Sequence, residues 1–345
     1  MLVLWGVASL VFCLFSILPG DPSRMMLGQR DNEEMRLAVQ DKYGFNKPIQ
    51  EQYLLFLNDL SPLSIHSNKK GAISNLEEHP YQAIKLFEIG ERSFVLKTPY
   101  LRESFVRQGV SVTSIIADTL PNTLVLALAA MSIALLLGIP LGIISAVHVH
   151  KFWDQFLSTV SVLGMALPSF FSAIVIAWLF GFVWQHITNL PMTGSLYVVD
   201  DYGNGEQIVW KNLILPAITL GIRPLAVVMQ LTRNSILDVL QQDYIRTARA
   251  KGLSNRSILL KHALPNAMNP VVTAASGWFA SMLAGAVFVE YIFGWNGLGK
   301  EIVHALNYLD LPVVMGAVLT LSFCFVLITI LVDFLYYFLD PKLRG

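Results

Sequence analysis

Long apolar runs alternate with polar stretches along this 345-residue chain. Six runs approach or exceed the ~20 residues needed to cross ~30 Å of hydrocarbon. They cover roughly residues 2–18, 122–146, 157–183, 213–232, 271–293 and 312–338. The pattern predicts an all-α polytopic membrane protein with six transmembrane helices. Between the first two runs lies a polar segment, 19–121. In it Asp31 and Glu34 have N-cap and N3 spacing, with Gly44 as a stop. Pro48 can open a second helix, to Leu60, with Tyr53, Leu54 and Leu57 on one face. Segment 61–100 shows little period and is expected as a small cap or a mobile stretch. Loop 187–212 holds Asp200, Asp201, Gly203, Gly205 and Glu206, which lack the spacing of a calcium loop. A solvated turn is expected there.

Composition sharpens the class. Hydrophobic residues make up 54% and charged residues 14%, against about 25% charged in a soluble domain. The mean hydropathy is +0.56. The net charge of zero says nothing about partners, because the charges are segregated by region. Cys13 and Cys324 both fall in apolar runs, so neither a disulfide framework nor a metal site is expected. The first run has no basic residue before Arg24 and no small-residue cleavage site at Ile17-Leu18-Pro19-Gly20-Asp21. It is expected to stay in the membrane.

Orientation follows the basic residues of short loops. Lys151 lies in loop 147–156; Arg233, Arg246, Arg249, Lys251, Arg256 and Lys261 lie in 233–270; Lys342 and Arg344 lie in the tail. The opposite short loops hold only Lys211 and Lys300. The basic side is read as cytoplasmic, with both termini inside. The expected organisation is a transmembrane helix at 1–18, an extracytoplasmic insert at 19–121 and a five-helix core at 122–345.

Gly294-Trp-Asn-Gly-Leu-Gly299-Lys300-Glu301 matches G-x-x-x-x-G-K. A phosphate-binding loop then needs Ser or Thr for Mg²⁺, whereas Glu301 would repel phosphate. A turn-rich re-entrant or surface segment ending the fifth span is expected instead. No G-x-S-x-G, H-E-x-x-H or C-x-x-C occurs. His148 and His150 supply only two metal donors. Three ionisable residues lie in or near spans, where such residues suggest function. Arg223, beside Pro224, faces a water-filled path or pairs with an acid or carbonyl; Glu290 and Asp333 either snorkel or pair at an interface.

The most specific signal is the polar island 243–267, between the fourth and fifth spans. Ile245, Ala248 and Leu253 can share one helical face with Arg and Lys residues around it. Gly252 permits a tight turn. Ser254 can cap a second helix running from Asn255 toward Pro265. An exposed helix with apolar knobs and a basic rim can dock in a partner's groove or lie on anionic lipid.

Tyr244 to Leu253 reads Tyr-x-Arg-Thr-Ala-Arg-Ala-Lys-Gly-Leu, and this resembles the coupling loop of ABC importer permeases of the peptide/nickel family. The general importer signature is E-A-A, three residues, Gly, nine residues, I-x-L-P. Gly252 to Pro265 keeps that spacing, but Arg246 stands for the Glu and His262 for the Ile. The likeness continues in Leu18-Pro19-Gly20-Asp21-Pro22, Tyr43-Gly44-Phe45, Leu120-Pro121-Asn122-Thr123, Trp295-Asn-Gly-Leu-Gly299 and Leu339-Asp340-Pro341. Over almost its whole length the chain resembles the B-type permease of a B/C pair. It departs in starting at the first span without leading basic residues, and in a segment 61–100 longer than the family's usual linker.

The resemblance implies the ABC importer permease fold in a bacterial or archaeal cytoplasmic membrane. It implies a second homologous permease, two cytoplasmic ATPase subunits, an extracytoplasmic solute-binding protein and the lipid bilayer as partners, and no nucleic acid. Coupling to the ATPases falls on Arg246, Thr247, Ala248, Arg249, Ala250, Gly252, Leu253, Leu264 and Pro265. Arg223 and Glu290 are candidates for the translocation path. No catalytic, cofactor or metal residue is expected in this chain, since ATP and Mg would sit on partner subunits. The implied cargo is short peptides, nickel or other small solutes, moved by alternating access. An ion-gradient-driven secondary transporter would instead favour midplane acids and inverted repeats, and a membrane enzyme would need a convergent catalytic set.

Overall fold

The computed structural model describes residues 2–17, 23, 32–68, 73–75, 83–199 and 205–339. The first elements are helices α1 (Leu2–Ile17), α2 (Glu33–Tyr43) and α3 (Ile49–Leu60), then strands β1 (Leu63–Ser67), β2 (Ala83–Ile89) and β3 (Arg92–Lys97). Helices α4 (Val112–Val147), α5 (Phe152–Ala166) and α6 (Ser169–Trp178) follow, then strands β4 (Tyr197–Val199) and β5 (Glu206–Ile208). The chain continues through α7 (Lys211–Leu240), α8 (Asp243–Ala250), α9 (Asn255–Phe293), α10 (Leu298–Asn307) and α11 (Leu311–Leu339).

Four helices are long and apolar enough to cross a membrane: α4, α7, α9 and the Leu311–Val332 part of α11. The expected span 157–183 is a broken pair. Helix α5 and Ser169–Val183 meet at 108°. Pro168 forces this break, because it disfavours helical backbone at Leu167 and cannot donate to the ladder of α5. A π-turn at Leu179–Val183 then closes the second arm. Helix α1 is apolar but only 16 residues long. The chain is a predominantly helical membrane protein.

The chain divides into two compact units, 1–118 with 301–323 and 119–300 with 324–345. In the first, the N-cap of α2 is Asn32 and not Asp31, which lies outside the described residues. Asn32 accepts the N–H of Glu34, and Gly44 ends the helix at φ +72°. Helix α3 buries Phe56 and Asp59; of the expected face, Leu54 points to solvent while Tyr53 and Leu57 are half-buried. Phe56 and Tyr53 pack on Phe12 of α1, with ring centroids 5.4 and 5.2 Å apart.

Segment 61–100 corrects the all-α expectation. It contains an antiparallel sheet ordered β1-β3-β2, with Ile65 opposite Phe94 and Lys85 opposite Val95. Its buried side is largely polar: Ser64, His66, Ser93 and Lys97 face in with Val95. Lys97 donates to the carbonyl of Asp59. Burial lowers its ammonium to about 8, against the opposing pull of the Asp59 carboxylate. Burial, then Glu103, raises the Tyr100 phenol to about 12. Arg107 grips both oxygens of Glu301 at 3.0 and 2.8 Å, and Asp310 accepts from Ser104 and from the N–H of Phe105. These bonds fasten the 100–112 stretch to the residues around α10.

In the second unit α7 is the hub, packed against α5, α6 and α9. Glycines bring α4 and α7 into backbone contact. A Cβ on Gly142 would lie 2.6 Å from the Met229 carbonyl, and one on Gly221 would lie 2.8 Å from that of Ala130. Such small-residue seams are how helices associate where no hydrophobic drive separates protein from lipid. The expected solvated turn at 187–212 holds the two-stranded β4–β5 ribbon, with Val198 opposite Gln207. Asp200, Asp201 and Gly203 fall outside the described residues, as do Leu18–Pro22 and residues 340–345.

Candidate functional site

The polar island folds as a short helix, a glycine turn and the start of a long helix. Helix α8 begins after Gln242, with Asp243 favourably placed at its positive end. The chain reverses at Gly252, φ +77°, whose N–H reaches the carbonyl of Arg249. No atom crowds a Cβ there, so the glycine is required by backbone conformation and not by space. Ser254 caps the following helix by accepting from the N–H of Ser257.

The apolar face of α8 turns inward. Ile245 and Ala248 are 0% and 7% exposed and pack with Ile258, Val239 and Leu240. This corrects the expectation that Ala248 forms part of an outward knob. Tyr244, Arg246, Thr247, Arg249, Ala250, Lys251, Gly252 and Leu253 are the exposed face. The Tyr244 hydroxyl accepts from Asn266, tying α8 to α9. Leu264 and Pro265 do not end a helix, as the spacing had suggested. The ladder passes through a π-segment, Ile258–Ala263, and continues to Phe293. Pro265 sits in the first turn after that segment, where a missing N–H does least harm.

Just inside the island lies a buried polar node. Asp154, at the start of α5, accepts from Arg233 Nε at 2.5 Å and Nη2 at 2.8 Å. It also accepts from Ser145 Oγ at 2.6 Å and from the N–H of His150 at 2.8 Å. The carboxylate thus joins α4, α5 and α7 within three turns of α8. Sequence reasoning missed this node; its signal was one acid and one base at span edges on the same side. His148 turns back to the carbonyl of Ile144. Among the described residues no group of His, Cys, Asp and Glu could hold a metal ion.

The two other candidates sit apart from the island. Arg223, on α7, is exposed and lies over the Trp278 ring of α9, 5.9 Å from its centroid. Glu290 is wholly buried and neither snorkels nor reaches an exposed surface. One oxygen accepts the N–H of Lys300 at 3.1 Å. The residues from Gly294 to Lys300 fold over it as a helix cap. Gly294 takes φ +68°, Trp295 is fully buried with Nε1 on the Asn122 carbonyl, and Asn122 returns a bond to the Asn296 carbonyl at 2.7 Å. Thr123 Oγ accepts the N–H of Leu298 at 2.8 Å. This turn is buried rather than surface-lying, and Lys300 Nζ is spent on Asn296 and Gly294. Asp333 lies within α11, and its side chain is outside the description.

Comparison with known proteins supplies the context. Residues 138–345 match the family model described as binding-protein-dependent transport system inner membrane component, and residues 1–70 match its N-terminal companion. The chain is 32% identical over 362 residues to a probable D,D-dipeptide transport system permease of Escherichia coli K12, covering 100% of this chain and 95% of the relative. It is 32% identical over 355 residues to a di/tripeptide permease of Pseudomonas aeruginosa, covering 99% and 94%. A dipeptide permease of Alkalihalophilus pseudofirmus is 30% identical over 358 residues, covering 99% and 96%. Among solved structures, the inward-facing MetNI methionine ABC transporter superposes with a TM-score of 0.54 at 15% identity, over 66% of this chain and 98% of that one. At that identity the likeness is one of fold.

Proposed function

The chain belongs to the family of binding-protein-dependent transport system inner membrane components, and from that premise we propose that it forms half of the translocation path of an ATP-driven importer of short peptides. Relatives matched over nearly full length carry dipeptide and di/tripeptide names, which supports peptides over nickel as cargo. A second homologous permease completes the path. Two cytoplasmic ATPase subunits bind below, and a solute-binding protein delivers cargo from outside. The chain crosses the inner membrane six times, with α1 and the broken α5–α6 pair counted as spans. Both termini are cytoplasmic, and segment 19–121 is outside. ATP and Mg belong to the ATPase subunits.

The observation that carries this reading is the build of the 243–267 island. Its inner face is fixed to α7 and α9, and its outer face is free, basic and tipped by Leu253. A docked partner that moves the outer face moves both helices. Alternating access then follows from a difference in ATPase contact between two states of the bundle. Glu290 braces the cap that closes α9.

The test places charge on the two faces separately. Leu253→Asp in the assembled complex should release the ATPase subunits and abolish solute-stimulated hydrolysis, with normal insertion. An acid on a docking face costs about 2–5 kcal/mol, tens- to thousands-fold in affinity. Ala248→Asp should instead disrupt folding of the loop. A Leu253→Asp complex that stays assembled and transports at the parent rate would leave α8 without a coupling role.

A further inference from the structure

Arg223 lies about 18 Å along α7 from Lys211, and Trp278 about 22 Å along α9 from Phe293. Both therefore sit near mid-depth of adjacent spanning helices. An ionised side chain at that depth is costly unless it meets water, an acid or a ligand. No carboxylate of the described residues lies within the 4.0 Å ion-pair distance of Arg223. What it meets is the Trp278 ring, within the ~6 Å reach of a cation–π contact. The guanidinium is a planar fork of N–H donors. That planar fork fits a carboxylate with two parallel hydrogen bonds.

The exposed strip of α9 flanking Trp278 has the character of a lane. Thr273, Gly277, Ser281 and Gly285 recur every fourth residue on one face. A Cβ on Gly277 or Gly285 would meet nothing within 4 Å. The hydroxyls of Thr273 and Ser281 donate back to their own helix, to Asn269 and Gly277. No side chain of the strip competes with Arg223 for an anion.

We propose that Arg223, steadied by Trp278, receives the carboxylate of the transported solute at mid-path, which for a short peptide is its C-terminal carboxylate. This rests on the reading of the chain as a peptide importer permease. Arg223 would offer the anion a stop inside the bundle, with the small-residue strip giving the peptide backbone room to pass.

The experiment uses the complete complex, with its ATPases and binding protein, in sealed vesicles. ATP-driven uptake of dialanine and of dialanine amide is measured for the parent and for Arg223→Gln, Arg223→Lys and Trp278→Leu. Each variant is compared with the parent for the same peptide, so the binding protein's own preference cancels. Arg223→Gln should lower uptake of the free acid at least tenfold and of the amide less than twofold. Arg223→Lys should retain more free-acid uptake than Arg223→Gln, and Trp278→Leu should lose several-fold on the free acid alone. Equal loss on both peptides, no loss on either, or release of the second permease by Arg223→Gln overturns the proposal. If the parent excludes the amide, the lysine variant decides: uptake no better than that of the glutamine variant overturns it. A parent that takes up neither peptide with ATP overturns the peptide-importer reading itself, and the carboxylate site falls with it.

Discussion

Asp154→Asn is the sharpest test of how the helical unit is held together behind the basic island. The substitution keeps shape and volume but removes the charge and turns one acceptor into a donor. Asp154 accepts four hydrogen bonds, two of them from Arg233. Both partners are largely shielded, with side-chain exposures of 5% and 21%. A bond to a charged group contributes about 1.5–3 kcal/mol, and stranding one member of a buried pair costs about 3–5 kcal/mol. At about 2–4 °C per kcal/mol for a unit of this size, the assembled complex should melt about 10 °C lower. Thermal challenge followed by size-exclusion chromatography of the detergent-solubilised complex reads this directly. The double variant Asp154→Leu with Arg233→Met should recover most of the loss, because an apolar pair of similar volume replaces both charges. A single variant that melts within 2 °C of the parent, or a double variant no better than the single, would refute the claim that this carboxylate ties the three helices together.

Two further expectations follow. Stability around β3 should rise as pH increases from about 8, because Lys97 is held low by burial and its unfolded counterpart keeps its proton up to 10.5. The trend should reverse above pH 10, where Tyr100 is raised to about 12 in the fold and ionises earlier when unfolded. Hydrogen exchange of β3 amides, corrected for intrinsic rates, should show both limbs, and Lys97→Met should erase the first. For topology, cysteines at the exposed positions Lys85 and Gln207 should react with an impermeant thiol reagent on sealed cells, whereas Ser254→Cys should not. Labelling of Ser254→Cys from outside would invert the orientation.

The parts of the structure legible in the sequence are those governed by local chemistry. Gly252 and Ser254 mark their turn and cap because backbone conformation and one short side chain decide them. Four of the spans are legible because length and apolarity are enough, whereas the run 157–183 hides a break at Pro168. Direction was not legible for α8: a period of apolar residues reveals a face, but not whether Ala248 faces its own bundle or a partner. The sheet was missed for a different reason. Its inward side carries Ser64, His66 and Lys97 while Leu63 and Ile65 lie outside, so alternation reads with the wrong sign. The Asp154–Arg233 node spans 79 residues of sequence, and no local rule pairs residues at that distance. Pro265 misled because a proline usually punctuates a helix, while a preceding π-segment lets this one pass.

That uninterrupted passage makes α9 a lever arm. It runs 39 residues from the exposed island to the capped end at Phe293, about 58 Å at 1.5 Å per residue. The π-segment at Ile258–Ala263 and the prolines at 265 and 270 are its compliant points. All of them lie near the island end. A swing of about 10° about that fulcrum would carry Phe293 through roughly 8 Å. On the reading of the island as the coupling element, a small stroke delivered at the basic end would be geared up into a larger displacement at the other.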